Sequence, residues 1–128
     1  MDASAVLAIL LQEPEGQLFK VLLADSVGEH VMSPFNYLEA AVRVDQLPEK
    51  GKSRELVPLL AALEVKIAPA TAQQAYLARE AYQRFGKGNH PAKLNLGDCF
   101  AYALSKARSE PLLFKGEDFR QTDVEPAI

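Results

Sequence analysis

Short apolar runs alternate with longer segments of helical periodicity along this chain, and this alternation most restricts the folds it can adopt. Strands are predicted at 30–32, 64–69 and 112–114, with a last edge strand at 122–124. Helices are predicted at 4–11, 14–24, 34–44, 53–63, 71–85 and 96–109. Strands that alternate with helices are typical of a parallel sheet covered on both faces. We therefore predict an α/β fold in a single domain, residues 1–128.

Capping residues stand at the start of most of these helical segments. Side chains that can accept hydrogen bonds from the first free N–H groups occur at Ser4, Ser33, Ser53, Thr71 and Asn95. Proline at position 58 lies inside its helical segment and predicts a kink or a later start. The last helix carries a predicted apolar stripe formed by Leu96, Phe100, Ala103, Leu104 and Ala107.

Composition excludes several classes of protein. The net charge of -3 indicates that any nucleic acid would bind through a local basic patch, because the overall field is not basic. A single cysteine, Cys99, excludes an internal disulfide and a multi-cysteine zinc site, and it suits a reducing cytoplasm. The apolar run 3–11 is too short to span a membrane and lacks the basic start of a signal peptide.

Acidic residues stand where predicted elements begin or end, at Asp2, Glu39, Asp98 and Asp118. Taken alone, Asp98 is best interpreted as a capping carboxylate in the first turn of a helix. In a parallel sheet, however, ligand sites form at the carboxyl ends of strands, and each of these acids is placed near such an end. Two carboxylates about 4 Å apart repel by roughly 4 kcal/mol at an effective dielectric constant near 20. A Mg²⁺ or Mn²⁺ ion would relieve that repulsion and could support phosphodiester hydrolysis.

Several segments, taken in their order along the chain, match a known pattern. They are 2–5 with Glu13 and Pro14, then 33–39, then 94–104, and finally 112–119 with Thr122 and Asp123. In this order they resemble the PIN-domain ribonucleases, specifically the VapC-type toxins of bacterial type II toxin–antitoxin systems. The resemblance covers nearly the whole chain. It implies a three-layer α/β/α PIN-like domain with a short parallel sheet of about four to five strands.

The resemblance also implies an activity and its residues. The implied catalytic and metal-binding residues are Asp2, Glu39, Asp98 and Asp118, of which Asp118 would either bind the metal or lie just behind its ligands. Ser4 and Asn36 would be polar members of the same pocket. The family is Mg²⁺- or Mn²⁺-dependent and acts on RNA, usually forms homodimers, and is inhibited by a cognate antitoxin that inserts a peptide across the site. We expect the same of this chain, in the cytoplasm.

One feature departs from the family pattern. Members normally carry three or four apolar residues before the first aspartate, as a central strand, whereas here only Met1 precedes Asp2. The start is then misassigned or trimmed, or the strand is shortened. An alternative function follows, a catalytically weak PIN-fold module that binds an antitoxin but holds metal poorly. A receiver-like phosphoacceptor domain is a further alternative, but it requires an aspartate after a middle strand, and none follows 65–67.

Other polar residues have candidate roles that compete with ordinary structural ones. Basic residues that could contact RNA phosphates are Lys87, Lys93, Lys115 and Arg120, with a second cluster at Lys50, Lys52 and Arg54. The loop 86–93 is a candidate for gripping substrate. We interpret His30 as structural, His90 as a surface residue, and Cys99, Tyr82 and Phe85 as core residues. The helices at 5–11 and 53–63 are candidates for homodimer and antitoxin contacts.

Overall fold

A computed structural model describes residues 1–26 and 28–128 of the chain. Its elements are α1 (Ala3–Leu10), α2 (Gly16–Asp25), β1 (His30–Met32), α3 (Pro34–Asp45), α4 (Gly51–Ala62), β2 (Val65–Ile67), α5 (Ala72–Phe85) and α6 (Leu96–Arg108), followed by a 3₁₀ turn at Phe119–Gln121. The order of helices and strands confirms the α/β prediction. Among the described residues, none of the helices has the length and apolar character needed to cross a bilayer.

The sheet is parallel, as predicted, but small. Strand β1 pairs with β2 in the register His30↔Val65, and in the described residues these two strands form the only ladder. The segment 112–114 is buried as expected, yet it forms a single bridge, between Leu112 and Pro126, and no strand forms at 122–124. The two later strand predictions are therefore wrong, and a sheet of four to five strands is not confirmed.

Single backbone hydrogen bonds nevertheless align further segments beside β1. The amino group of Met1 donates to the carbonyl of Val31 at 2.9 Å, and the N–H of Asp2 donates to the carbonyl of Leu113 at 3.0 Å. Leu112 in turn bonds to the segment 125–127. The first two residues thus lie between β1 and 112–114. A ladder needs several successive residues on each strand, and each of these contacts is a single bond, so within the described residues these segments do not join into one sheet.

Local capping explains where most helices begin. Ser33, Thr71 and Asn95 accept hydrogen bonds as predicted at the starts of α3, α5 and α6. Ser4 is not a cap, because Asp2 caps α1 and Ser4 lies inside its first turn. Ser53 is not a cap either, because α4 already begins at Gly51, and the helix continues through its proline without interruption.

Helix α6 is buried on more sides than one apolar stripe would require. Cys99, Tyr102 and Ala103 are among its buried residues, because α6 packs against both α5 and α3. Leu96, the first residue of the predicted stripe, is 65% exposed, and Phe100 is only partly buried. The apolar start of α6 therefore faces outward, beside the residues of the candidate site.

Helix α1 is part of the core. Its buried residues are Ala3, Ala5, Val6, Ala8, Ile9 and Leu10, and they pack against α2, α3 and α4. The prediction that the segment 5–11 is free for a partner is therefore wrong, because nearly all of its apolar surface is used within the chain.

Candidate metal centre

Asp2 lies at the amino end of α1. Its Oδ2 accepts hydrogen bonds from the Ser4 N–H at 3.0 Å and from the Ser4 hydroxyl at 2.6 Å. Burial raises the pKa of Asp2, although both bonds from Ser4 act in the opposite direction. The Ser4 hydroxyl also accepts from the N–H of Lys115 at 3.0 Å. It therefore connects Asp2 to the segment that leads to Asp118.

Glu39 is positioned by Asn36, one turn earlier on α3. The side-chain amide of Asn36 donates to Glu39 Oε1 and to the carbonyl of Gly97, both at 2.9 Å. The Asn36 side-chain oxygen accepts from the Ser33 hydroxyl at 2.7 Å, so this buried amide is bonded at both ends. Burial raises the pKa of Glu39, opposed by the bond from Asn36 and reinforced by the charge of Asp2. Asn36 thus holds a metal-ligand candidate against the start of α6.

Gly97, at the start of α6, is a further residue of the candidate site. A Cβ added at this position would overlap the carboxylate of Glu39, so only glycine allows α3 and α6 to approach this closely. The available signal was its position directly before Asp98, but the partner it makes room for lies 58 residues earlier and is visible only in the fold.

Asp98 has two roles in the structure. It forms a capping box with Asn95, donating its N–H to Asn95 Oδ1 at 2.9 Å and accepting from the Asn95 N–H at 3.0 Å. Burial raises the pKa of Asp98 to about 7, and the negative charges of Asp2, Glu39 and Asp118 add to the rise. The hydrogen bond from the Asn95 N–H acts in the opposite direction. The structural interpretation as a cap is therefore correct, and the same carboxylate also lies in the field of the three other acids.

Asp118 lies at the start of the 3₁₀ turn with an exposed side chain that makes no capping bond. Across residues 1–26 and 28–128, no lysine or arginine forms an ion pair with any of the four candidate acids. The amino group of Met1 is a weak partner, because burial lowers its pKa to about 6 against the opposing charges of Asp2 and Glu110. The negative charge of this region is thus left without a strong partner.

The chemistry of these side chains fits a hard divalent cation better than it fits any other ligand. All four donors are carboxylates, the ligands that Mg²⁺ and Mn²⁺ prefer. As their side chains stand, no three acidic, imidazole or thiol groups of the described residues are close enough together to hold one ion. Asp2 and Asp98 are instead bonded to local N–H groups. Mutual repulsion accounts for this arrangement, since each carboxylate is more stable facing a donor than facing another carboxylate.

Comparison with known proteins identifies the family. The family model described as the PIN domain matches residues 1–125. The chain belongs to the PIN-domain family. This PIN domain is 46% identical over 124 residues to "Ribonuclease VapC" of Mycolicibacterium smegmatis, covering 97% of this chain and 95% of that protein. It is 42% identical over 125 residues to "Ribonuclease VapC30" of Mycobacterium tuberculosis, covering 97% and 94%. It is 42% identical over 129 residues to "Ribonuclease VapC28" of the same species, covering 100% and 96%. It is therefore a VapC-type PIN domain, and the receiver-like alternative is wrong.

The basic residues around the candidate site of this PIN domain differ in whether they already form ion pairs within the chain. Lys115 pairs with Glu13 at 2.9 Å and with Glu15 at 3.6 Å. Arg120 pairs with a glutamate one turn earlier and donates to the carbonyl of the last residue at 2.9 Å. In the described part of the chain, the exposed side chains of Lys87 and Lys93 form no ion pair. These two lysines are the more available of the predicted phosphate contacts.

The second basic cluster has structural roles in this PIN domain. The ammonium of Lys50 donates to the carbonyls of Asp45 and Leu47 at 2.7 and 3.1 Å, at the carboxyl end of α3. Lys52 pairs with Glu55 at 3.2 Å. These contacts use the two lysine ammonium groups within the chain.

The remaining candidate residues are mostly structural. His30 Nε2 lies 3.0 Å from the carbonyl of Leu23, as the structural interpretation predicts. His90 is half-buried in its loop, where its Nδ1 accepts from the Ala92 N–H at 3.0 Å and its ring packs edge-on against Phe85. Cys99 and Phe85 are buried, as predicted. Tyr82 is 38% exposed and so is not a core residue.

Proposed function

We propose that this PIN domain is an endoribonuclease toxin that depends on Mg²⁺ or Mn²⁺ and is inhibited by a cognate antitoxin. The observation that carries the proposal is the electrostatics of Asp98, whose pKa of about 7 reflects burial together with three nearby acids. A protein that kept these carboxylates together without a counter-ion would lose stability for no structural gain, which supports a cation site. The ribonuclease names of its relatives support RNA as the substrate.

Each residue of the proposed site has a distinct task. Asp2, Glu39 and Asp98 would bind the ion, and Asp118 would bind it or accept hydrogen bonds from its water ligands. Bound there, the ion would polarise a phosphate oxygen and lower the pKa of a water molecule. Ser4 orients Asp2, and Asn36 orients Glu39, which limits the motion of two carboxylates before substrate arrives.

Cleavage of a mixed pool of small RNAs tests the proposal directly. The purified chain is incubated with Mn²⁺, with Mg²⁺ or with EDTA, and the products are resolved on a denaturing gel. We expect cutting in either metal and none in EDTA, because the nucleophile depends on the ion. The Asp98→Asn protein, prepared identically, controls for contaminating nuclease. Cutting that persists in EDTA, or equally in the variant, would contradict the proposal.

A second candidate function has its own supporting observation. No three of the candidate acids lie close enough together in the described residues to hold one ion. This separation favours a catalytically weak module that binds the antitoxin without cutting RNA. Absence of cleavage in both metals, together with retained antitoxin binding, would support this alternative over the nuclease.

RNA binding should depend on the loop lysines of this domain. Replacing both Lys87 and Lys93 with alanine is expected to weaken RNA binding and to reduce the slope of log affinity against log salt by about 1.4, since each lysine neutralises one phosphate. Fluorescence anisotropy of a labelled RNA across a salt series measures this. The matched control is Lys20→Ala, which removes an exposed lysine of α2. An unchanged slope in the double variant would place the RNA elsewhere.

The surface proposed for homodimer formation lies on α3 and α6. We define the α3–α6 apolar face as Phe35, Leu38, Val42 and Leu96, which are 37, 57, 44 and 65% exposed. The three α3 residues have the spacing of one helix face, and the Phe35 ring stacks on Phe100 with centroids 5.1 Å apart. Exposed apolar surface of this continuity supports a protein contact.

Leu38→Glu is expected to convert a dimer into a monomer, because it places an unpaired charge at the centre of the α3–α6 apolar face. Light scattering coupled to size-exclusion chromatography gives the mass. Val57→Glu is the matched control, since Val57 is 60% exposed on α4, the other surface considered from the sequence. If Val57→Glu alone produced the monomer, the interface would lie on α4 instead.

A further inference from the structure

Asp123 lies outside the proposed metal centre and is bonded to two helices. Its Oδ1 accepts a hydrogen bond from the Tyr102 hydroxyl of α6 at 2.7 Å. Its Oδ2 pairs with the Lys106 ammonium of α6 at 3.1 Å and with the Arg84 guanidinium of α5 at 3.5 Å. Lys106 also donates to the backbone carbonyl of Asp123 at 3.1 Å. Both the side chain and the backbone of this residue are therefore attached to α6.

These contacts favour the charged form of Asp123. Burial acts to raise its pKa, but the hydrogen bonds from Tyr102 and Lys106 and the charges of Lys106 and Arg84 outweigh it, so the pKa lies below the ordinary value. Exposed ion pairs alone stabilise a protein little. Tyr102 is only 2% exposed, however, and a buried hydroxyl requires a partner, which Asp123 supplies. The carboxylate is thus held in one defined place.

Tyr102 and Lys106 lie on the same face of α6 as Asp98, because a spacing of four residues is close to one helical turn. They are about 6 and 12 Å from Asp98 along the helix axis. Asp123 bonds to both of them. In addition to burial, the charge of Asp118 raises the pKa of Asp98, so Asp118 lies near the first turn of α6. The backbone between the two later aspartates therefore runs along this face of α6.

That backbone is a hydrogen-bonded turn. The Asp118 carbonyl accepts from the Gln121 N–H at 3.2 Å. The Phe119 carbonyl accepts from the N–H and from the hydroxyl of Thr122, at 3.1 and 2.7 Å. The Asp118 side chain is exposed and makes no capping bond, so its position depends on this turn and on whatever anchors the turn. Asp123, the residue directly after Thr122, is bonded to α6 and can serve as that anchor.

We propose that Asp123 is a positioning residue, which anchors the turn 118–122 to α6 and thereby holds the Asp118 carboxylate beside Asp98. The inference rests on the proposed metal site and adds to it a residue that touches neither the ion nor RNA. Replacing a residue that orients a metal ligand typically lowers metal affinity by about 10- to 100-fold. Because Asp123 acts through a turn of backbone, we expect an effect at the lower end of that range.

Mn²⁺ binding by the full chain, measured by isothermal titration calorimetry, tests the proposal. Asp123→Ala is expected to weaken Mn²⁺ binding roughly tenfold. Glu80→Ala is the matched control, because it removes the other carboxylate that pairs with Arg84, at 3.7 Å, and changes the net charge equally. Tyr102→Phe keeps the ring and the charge but removes the hydroxyl, and it should weaken binding in the same direction. Equal weakening by Asp123→Ala and Glu80→Ala would show an effect of charge alone and would overturn the proposal.

Amide hydrogen exchange of the metal-free protein reports on the turn itself. Asp123→Ala should speed exchange at Gln121 and Thr122 at least about tenfold more than at the amides of α4. Tyr102→Phe should speed the same two amides, which provides the comparison if Asp123→Ala folds poorly. Unchanged exchange at the turn in both variants would overturn the proposal. A lower melting temperature with unchanged Mn²⁺ affinity would also overturn it, since the role would then be structural only.

A double-mutant cycle shows whether Asp123 acts through Asp118. In an Asp118→Asn protein, Asp123→Ala should no longer change Mn²⁺ affinity, because the carboxylate that it positions is already absent. An equal loss of affinity with and without the Asp118 carboxylate would overturn the proposal. A wild-type protein that neither binds Mn²⁺ nor cuts RNA would contradict the metal site and this inference with it. A wild type that binds Mn²⁺, beside variants that bind it equally well, would overturn this inference alone.

Discussion

Substituting Gly97 with alanine is expected to lower RNA cleavage by at least about a hundredfold, the usual effect of displacing a catalytic group by an ångström. The added methyl group would occupy the position of the Glu39 carboxylate. Either Glu39 leaves the proposed metal site or α6 moves away from α3, taking Asp98 with it. The loss would not come from the helix itself, because alanine favours a helix over glycine by roughly 0.5–1 kcal/mol.

Two other glycines provide matched controls for this variant. Gly51→Ala adds a methyl group at the exposed start of α4, where nothing lies within 4 Å, and should leave cleavage unchanged. Gly16→Ala would overlap the backbone carbonyl of Ala8 and should reduce stability without touching the carboxylates. Cleavage rates measured well below each melting temperature separate the two effects. Normal cleavage by Gly97→Ala would show that the contact between Glu39 and Gly97 is not needed.

Asp98→Asn is expected to stabilise the metal-free protein while abolishing cleavage. The folded pKa of about 7 lies above the ordinary value of 3.8, so the folded state binds more protons than the unfolded state between these two pH values. Stability from this group is therefore present below pH 3.8, is lost as the pH rises toward 7, and stays lost above it. After allowance for the partial exposure of Asp98, we expect asparagine to recover about 1–2 kcal/mol at pH 7.5.

Thermal melts in EDTA between pH 4 and 8 measure this effect. The wild-type protein should lose stability relative to Asp98→Asn as the pH rises, with the difference levelling off above about pH 7. Asp2 and Glu39 remain in the variant and leave a shallower slope of the same sign. Added Mn²⁺ should raise the melting temperature of the wild type and have little effect on the variant. A lower melting temperature for the variant without metal would contradict a shared acidic site.

Most predictions based on local patterns are confirmed, although the caps expected at Ser4 and Ser53 are wrong. Strand β1 was predicted with its observed limits, and the caps at Ser33, Thr71 and Asn95 are correct. Such signals depend on neighbours within a few residues. The errors in the predicted strands occur where a neighbour from elsewhere in the chain decides. The segment 112–114 has the composition of a buried strand, yet the residues beside it form too short a ladder to make it one.

The candidate site likewise has one part that the sequence predicted and another that it did not. The acids could be identified from their positions at the ends of elements and from the resemblance to PIN domains. The hydrogen bonds and close contacts around these acids could not be predicted from the sequence, because the partners of Asn36 and Gly97 lie on different helices. Lys115 has the composition of a phosphate contact, but the fold brings Glu13 and Glu15 to it. Charge alone does not reveal whether a basic residue is already neutralised within its own chain.

The sequence by itself determined the class of fold, the order of the helices and of β1 and β2, the family, and the acids that define the proposed chemistry. It did so because periodicity, capping and motif order are properties of neighbouring residues. Only the tertiary structure decided that α1 is core, that Gly97 makes room for Glu39, and that a cavity lies beside Met1. Those features depend on which distant segments meet. They are set by packing and by the pairing of buried backbone groups, neither of which is encoded within one segment.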